Sequence, residues 1–423
     1  MTKPLKDLIA IAAPARLLAE MKREALIQKI TESCALDTER FNRLCSKLIH
    51  NIANYYQLLP ESANRYYALP GGLIDHALNR TEAALHLFRQ HLLQDQQAEL
   101  SEEQKLWLYA LFSASLLQGI GKLQLDYQIN FFDNKGHLLK TWNPLLDKPA
   151  STGHYYHYEF TKGSEDDLRH RLNIVLALQL MPESGFSWVA SEPDVLATWL
   201  ALLSEDPHSA GMLGAILERA DAIAIQRDIH EYLIKNTSTG GARAGRVSTF
   251  IDSTPESSGE KEHLLGAEFI KWLTQELKKG LICINKIPLV VIPTGLIMSR
   301  EVFQLFMKNH PEVKHWQAVQ KGLISWGLHR TNADGHAISQ IEDPKTQKTH
   351  EGILLENYSV VLPDEVQFHH PDTGKESTVS AIQVAQLQQS DNPAPLSRLS
   401  LSGKWELANI NSASLQSGYT RRE

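Results

Sequence analysis

Apolar residues recur at three- and four-residue steps through most of the first 235 positions, the spacing that gathers them on one side of an α-helix. The pattern is clear in ALIQKITESCALDTERFNRLCSKLIHNIANYYQLL (from Ala25), DHALNRTEAALHLFRQHLL (from Asp75) and EEQKLWLYALFSASLLQGI (from Glu102). It returns in DLRHRLNIVLALQLM (from Asp167), EPDVLATWLALLS (from Glu192) and GMLGAILERADAIAIQRDIHEYLIK (from Gly211). YQINFFDNKGHLLKTWNP, from Tyr127, interrupts the series as an irregular or hairpin insertion with Asn-Lys-Gly at its turn. Residues 1–235 are therefore expected to form one all-helical bundle. From Asn236 to Glu262 the chain is rich in Gly, Ser and Thr and almost free of apolar residues, the composition of a linker. Periodicity resumes in HLLGAEFIKWLTQELKKG, which ends on Gly280 at a C-cap position. Two strand-like runs follow, LICINK and PLVVIPTGLIMS, then the helices REVFQLFMKNH and HWQAVQKGLISWGLHR. The segment from Ala337 to Pro363 reads as a hairpin, in the order of a winged helix-turn-helix. Residues 263–368 are thus expected to be a smaller α+β domain, and the Gln/Ser/Pro-rich residues 369–423 a poorly ordered tail. The fold class is mainly α.

A length of 423 residues exceeds one ordinary core, which agrees with two domains. No apolar run is read as a membrane span, and the apolar piece near the N-terminus is too short and too soon charged for a signal peptide. Cys34, Cys45 and Cys283 are few, odd in number and widely spaced, with neither a zinc pattern nor a disulfide framework. These features imply a cytoplasmic protein. The net charge of −7 excludes a surface coated in basic residues, though not a local basic patch.

Candidate chemistry begins at ALPGGLIDHALNR, where the Gly71-Gly72 turn starts a helix carrying His76. LLQGIGK then ends a hydrophobic helix at Gln118, Gly119 and Lys122, and LERADAIA carries Asp221. The layout resembles HD-type phosphohydrolases, in which a His, a His-Asp pair and a late Asp on separate helices hold a divalent metal. Here the pair falls on Gln118-Gly119, which removes an imidazole and a carboxylate. His76 then reads as a packed core histidine and Asp221 as a capping or pairing group. The replacement predicts a degenerate site without catalytic residues, metal or other cofactor. A rearranged site would use His76 and Asp221 with His154 or His157 from STGHYYHYEF, or with Asp126. That segment reads more simply as a polar, aromatic loop, and His170 and His208 carry no motif of their own. Walker and dinucleotide glycine patterns are absent.

Both halves together resemble the MobH class of TraI-type conjugative relaxases. The N-terminal likeness lies in Gly71-Gly72-Leu73 with His76, in Gly121-Lys122 and in Ala220-Asp221. Arg65-Tyr66-Tyr67 occupy a place that is histidine-rich in that family. The C-terminal likeness lies in FIKWLTQELKKGLICINK, VVIPTGLIMSREVFQLF and GLISWGLHR. The resemblance covers roughly Leu59 to Pro363 and implies an HD-like helical domain followed by a winged-helix domain that binds DNA.

The charge pattern bears on that last implication. Lys271 to Arg330 contains nine Lys/Arg against three Asp/Glu, or +6, within a chain of −7. Such asymmetry suits phosphate binding. On the helix from His315, Trp316, Val319, Leu323, Ile324 and Leu328 take the apolar side, leaving Gln317, Gln320, Lys321 and Ser325, with Arg330 beyond, as candidate DNA contacts. The bare pattern fits a solvated helix face equally well; the resemblance favours DNA, bound through residues 262–364. Three functions follow: a catalytically degenerate relaxase-like DNA-binding protein that would work with the protein partners of a transfer complex, a metal-dependent nuclease with rearranged ligands, or a protein-interaction scaffold.

Overall fold

The apolar stripes become packed helices. The computed structural model describes residues 2–92, 100–161, 166–238, 258–292, 294–332, 335–342, 349–371, 373–389, 397–399 and 405–407. Its first part is built on α1 (Met21–Cys34), α2 (Lys47–Tyr56), α3 (Gly72–Leu92) and α4 (Glu102–Leu117). α4 opens with a capping box: the Ser101 side chain accepts from the Gln104 backbone N–H, and the Gln104 side chain accepts from that of Ser101. Two donors that a first helical turn leaves unpaired are thereby satisfied. From Leu106 to Leu117 every residue of α4 is buried. The stretch Glu102–Leu125 does have the length and apolarity of a membrane span, against the expectation that no run does, but 83% of that window lies inside the fold. A central core helix is apolar all round for the same reason.

The first half is not all-helical. Between α4 and α5 (Asp166–Leu180) lie β2 (Tyr127–Phe132), β3 (Leu138–Thr141) and β4 (Tyr155–Phe160). With β1 (Ile9–Ala10) they form an antiparallel sheet in the order β1-β4-β2-β3. The insertion is a hairpin: Gly136 adopts a φ of 81°, and the Asp133 carboxylate accepts from the Lys135 and His137 backbone N–H groups. The expected loop STGHYYHYEF is instead mostly strand β4, with Tyr156 opposite Phe131 and His157 opposite Asn130. Its aromatic residues alternate with polar ones at the two-residue period of a strand, so that Tyr156 packs in the core while Glu159 is exposed.

α6 (Pro193–Leu203) and the long α7 (Gly211–Ser238) follow, and α7 belongs to both cores. Leu213, Ile216, Leu217 and Ala220 pack with the first half. Ala222, Ile225, Ile229 and Leu233 pack with the second. The second half includes α8 (Ser258–Lys278), β5 (Leu289–Ile292), β6 (Gly295–Met298), α9 (Arg300–Asn309), α10 (Trp316–Ser325), β7 (Ile338–Glu342) and β8 (Thr349–Leu355). The sheet order is β5-β6-β8-β7, so PLVVIPTGLIMS makes a hairpin by itself. LICINK is not a strand; Ile284 makes only an isolated bridge to Phe368. Beyond 369, where a tail was expected, β9 (Glu365–His369) pairs with β10 (Glu376–Ser380), and α11 (Ala381–Gln389) buries Ala381, Ile382, Val384 and Ala385. Most of the linker, 239–257, and most of the tail beyond 389 lie outside the described residues.

Candidate functional site

Local packing accounts for the Gly71-Gly72 turn. Gly71 has a φ of 83°, and a Cβ there would sit 2.3 Å from Arg23 Nη2. Gly71 lets Arg23 reach the Leu17 carbonyl at 2.7 Å and the Asp75 carboxylate at 2.6 Å, which anchors the start of α3. A buried guanidinium with paired acceptors holds that helix in place. His76 follows one residue later and Arg80 one turn after it, so both lie on the same face.

These two side chains meet Asp221, on α7 between the residues that fill the two cores. His76 Nε2 lies 3.0 Å from Asp221 Oδ1. Arg80 Nη1 lies 3.2 Å from the same oxygen. The other guanidinium nitrogens of Arg80 donate to the Ser115 carbonyl at 2.9 Å and the Gln118 carbonyl at 2.8 Å. Asn357, from the second half, donates to Asp221 Oδ2 at 3.0 Å. On the far side of His76, Nδ1 faces Glu61 Oε2 at 3.6 Å, and Glu61 is ion-paired with Lys122. Tyr67 stacks on the imidazole at 5.0 Å and Tyr66 meets it edge-on at 5.6 Å. Tyr66 and Tyr67 thus wall in the histidine.

The electrostatics are self-contained. Burial by itself would raise both carboxyls, but Lys122 and His76 hold Glu61 at about 2, and His76 with Arg80 hold Asp221 well below the usual carboxylate range. Burial likewise opposes the charged form of His76, yet Asp221 and Glu61 outweigh it and raise its pKa. The sequence candidates do come together: Gln118, Gly119, Lys122 and Asp221 line one cavity of about 670 Å³, which His170 and His208 also line.

A divalent ion needs several uncommitted lone-pair donors converging on one point. Asp221 is already held by Arg80, His76 and Asn357, and Glu61 by Lys122. Among the described residues no group of three or more His, Cys, Asp or Glu converges as an ion would require. The residues present do not fit a metal. Nor do the rearranged candidates join them: His154 is exposed and His157 lies on β4 beside Glu159 at 3.8 Å. Asp126 caps a short helical turn and faces Arg169 at 3.7 Å.

The candidate DNA contacts divide. Gln317 and Lys321, one turn apart on α10, are exposed, and Gln320 is half-buried beside them. Ser325 does not join this face. It is half-buried, donates to the Gly322 carbonyl at 2.8 Å and meets His263 Nδ1 at 3.0 Å. Its place follows from the close crossing of α8 and α10, where Gly266 and Gly322 meet backbone to backbone. Arg330 lies apart, in a groove with Thr294, Asn332 and Gln340, and is neutralised by Glu356 at 3.3 Å. Elsewhere in this half Lys271, Lys278, Arg300, Lys308 and Lys314 are exposed and, like Lys321, form no salt bridge among the described residues. Arg300 sits 6.0 Å from the Trp316 ring, linking α9 to α10.

Sequence reading missed Glu61, Arg80 and Asn357. Arg80 was accessible through its four-residue offset from His76, whereas nothing local ties Asn357 to Asp221.

No curated protein matches the chain significantly. Residues 264–373 match the family model TraI_2_C, "Putative conjugal transfer nickase/helicase TraI C-term". Residues 9–248, more than half of the chain, match the family model TraI_2, "Putative helicase". With the two matches in chain order, the protein belongs to this TraI-type family of conjugal transfer proteins.

Proposed function

We propose that the protein is a relaxase-like DNA-binding component of conjugative DNA transfer whose helical half no longer performs metal-dependent strand cleavage. The observation that carries the reading is the set of exposed cations without salt bridges on and between α9 and α10, namely Arg300, Lys308, Lys314 and Lys321, in a chain of net charge −7. Phosphate neutralisation gives such a cluster a use that folding alone does not. The order of α8, β5-β6, α9, α10 and the β7-β8 hairpin supports a winged-helix reading, with α10 offering Gln317, Gln320 and Lys321 to the duplex. The ion pairs around Asp221 support loss of nuclease chemistry, because the carboxylates are occupied by the protein's own cations.

Fluorescence anisotropy of the full chain with random duplex and single-stranded oligonucleotides tests this. If about four phosphates are contacted, affinity falls roughly 100-fold between about 50 and about 200 mM salt as counterions are released. Lys314→Ala with Lys321→Ala should weaken binding to all sequences alike and flatten the salt dependence by about two charges. Gln317→Ala should instead alter sequence preference. A folded chain that binds neither oligonucleotide at low salt would leave the scaffold reading.

A further inference from the structure

The cluster around Asp221 is the point where the two halves of the molecule are fastened together. Ala220 belongs to the first core and Ala222 to the second, so Asp221 stands at the crossing between them. One of its oxygens takes Arg80 and His76 from the first half, and the other takes Asn357 from the second. Around this point the second half approaches through its 310 turn, Tyr358–Val361. Arg219 donates to the Ser359 carbonyl at 2.8 Å and the Leu362 carbonyl at 2.9 Å, and also meets Asp364. Gln226 donates to the Val360 and Leu362 carbonyls at 2.8 and 3.0 Å. On the other flank, Arg65 lies so close to Gly327 that a Cβ there would be 2.2 Å from its Nε.

We infer that this site is an interdomain lock in which the Arg80 guanidinium stands where a metal would, as the cation that fixes Asp221, while Asp221 in turn fixes Asn357. A bound metal would hold together ligands from several helices of one bundle. Arg80 does that same work between α3, the end of α4 and α7, through Asp221 and the Ser115 and Gln118 carbonyls. Because a guanidinium saturates the carboxylate without drawing it toward further ligands, the second oxygen of Asp221 is left to accept from the other half. The lock depends on no ion from solution and holds whether or not the chain binds DNA.

The test uses the full chain without DNA. Wild type should melt in one transition, at the same temperature in EDTA as in Mn²⁺. A stabilisation by Mn²⁺ of more than about 2 °C that disappears in Asp221→Ala would show a working metal site and overturn the inference. Arg219→Met combined with Asn357→Ala should keep the wild-type helix content by circular dichroism. It should increase the radius of gyration in X-ray scattering and split the calorimetric transition in two. Arg80→Met should do the same. If Arg80→Met fails to fold, the Arg219/Asn357 pair decides alone. A folded pair variant with unchanged radius and a single transition would refute the lock.

Discussion

Arg80 shows how one side chain can change what a site is for. Next to His76 on the same helical face, it carries its charge into a position where Asp221 would otherwise need an external cation. His263 shows a different dependence on environment. It is stacked 3.8 Å from Trp326 and edge-on to Tyr232 at 5.1 Å, and burial lowers its pKa from 6.5 to about 4. Above about pH 6.5 the residue is neutral in both folded and unfolded chains, so its packing is fully expressed. Between about 6.5 and about 4 the unfolded chain takes up the proton first, and stability falls as pH falls. The melting temperature should therefore drop more steeply between pH of about 7 and about 4.5 in wild type than in His263→Phe, whose other titrating groups are the same. Parallel pH profiles for the two proteins would show that the histidine titrates freely.

The pairing of α8 with α10 rests on two glycines. A Cβ on Gly266 would lie 2.1 Å from the Gly322 carbonyl oxygen, and one on Gly322 would lie 2.4 Å from the Glu262 carbonyl oxygen. Backbone, not a pliable side chain, stands in the way. Replacing a helical glycine by alanine ordinarily gains about 1 kcal/mol, but forcing two helices apart costs about 1–3 kcal/mol or more. Gly322→Ala should therefore destabilise the chain, by up to about 2 kcal/mol net. Gly259→Ala, on the same α8 but with open space around its Cβ position, should stabilise it by up to about 1 kcal/mol. Chemical denaturation of both variants reads the two signs, and equal signs would deny that the crossing is backbone-limited. This crossing also explains a limit of sequence reading. A helical wheel puts Ser325 on the polar side, and only the approach that the glycines permit brings His263 against it. Three- and four-residue periodicity made the helices legible, because burial on one face is a local property of a helix. β4 was missed because its short alternation of Tyr and His reads as strand only when β2 lies beside it. His76, Gln118, Lys122 and Asp221 were legible as a cluster from motif spacing, whereas Asn357 enters through a contact 136 residues away in sequence.

For the whole molecule, the polar stretch from 236 to 262 is a misleading place to divide the chain. A cut at 235 leaves Ala222, Ile225, Ile229 and Leu233 on the first fragment without the core they fill. A fragment of residues 262–364 loses those four side chains and also Ala381 and Val384 of α11, which belong to the same core. Each large apolar side chain so exposed forfeits about 1.5–3 kcal/mol of burial, so losing Ile225, Ile229 and Leu233 alone removes roughly 5–9 kcal/mol, comparable to the whole stability of an ordinary domain. Fragment 262–364 should accordingly lack a cooperative thermal transition and bind a hydrophobic dye. A fragment of residues 218–389, which restores α11 and the second-core side chains of α7, should melt sharply. The comparison needs only calorimetry and dye fluorescence on the two purified pieces. A sharp transition from 262–364 would mean that α7 merely rests on the second half. The converse result would mean that a DNA-binding face on α9 and α10 is built on a core that reaches back, through α7, to within one residue of Asp221.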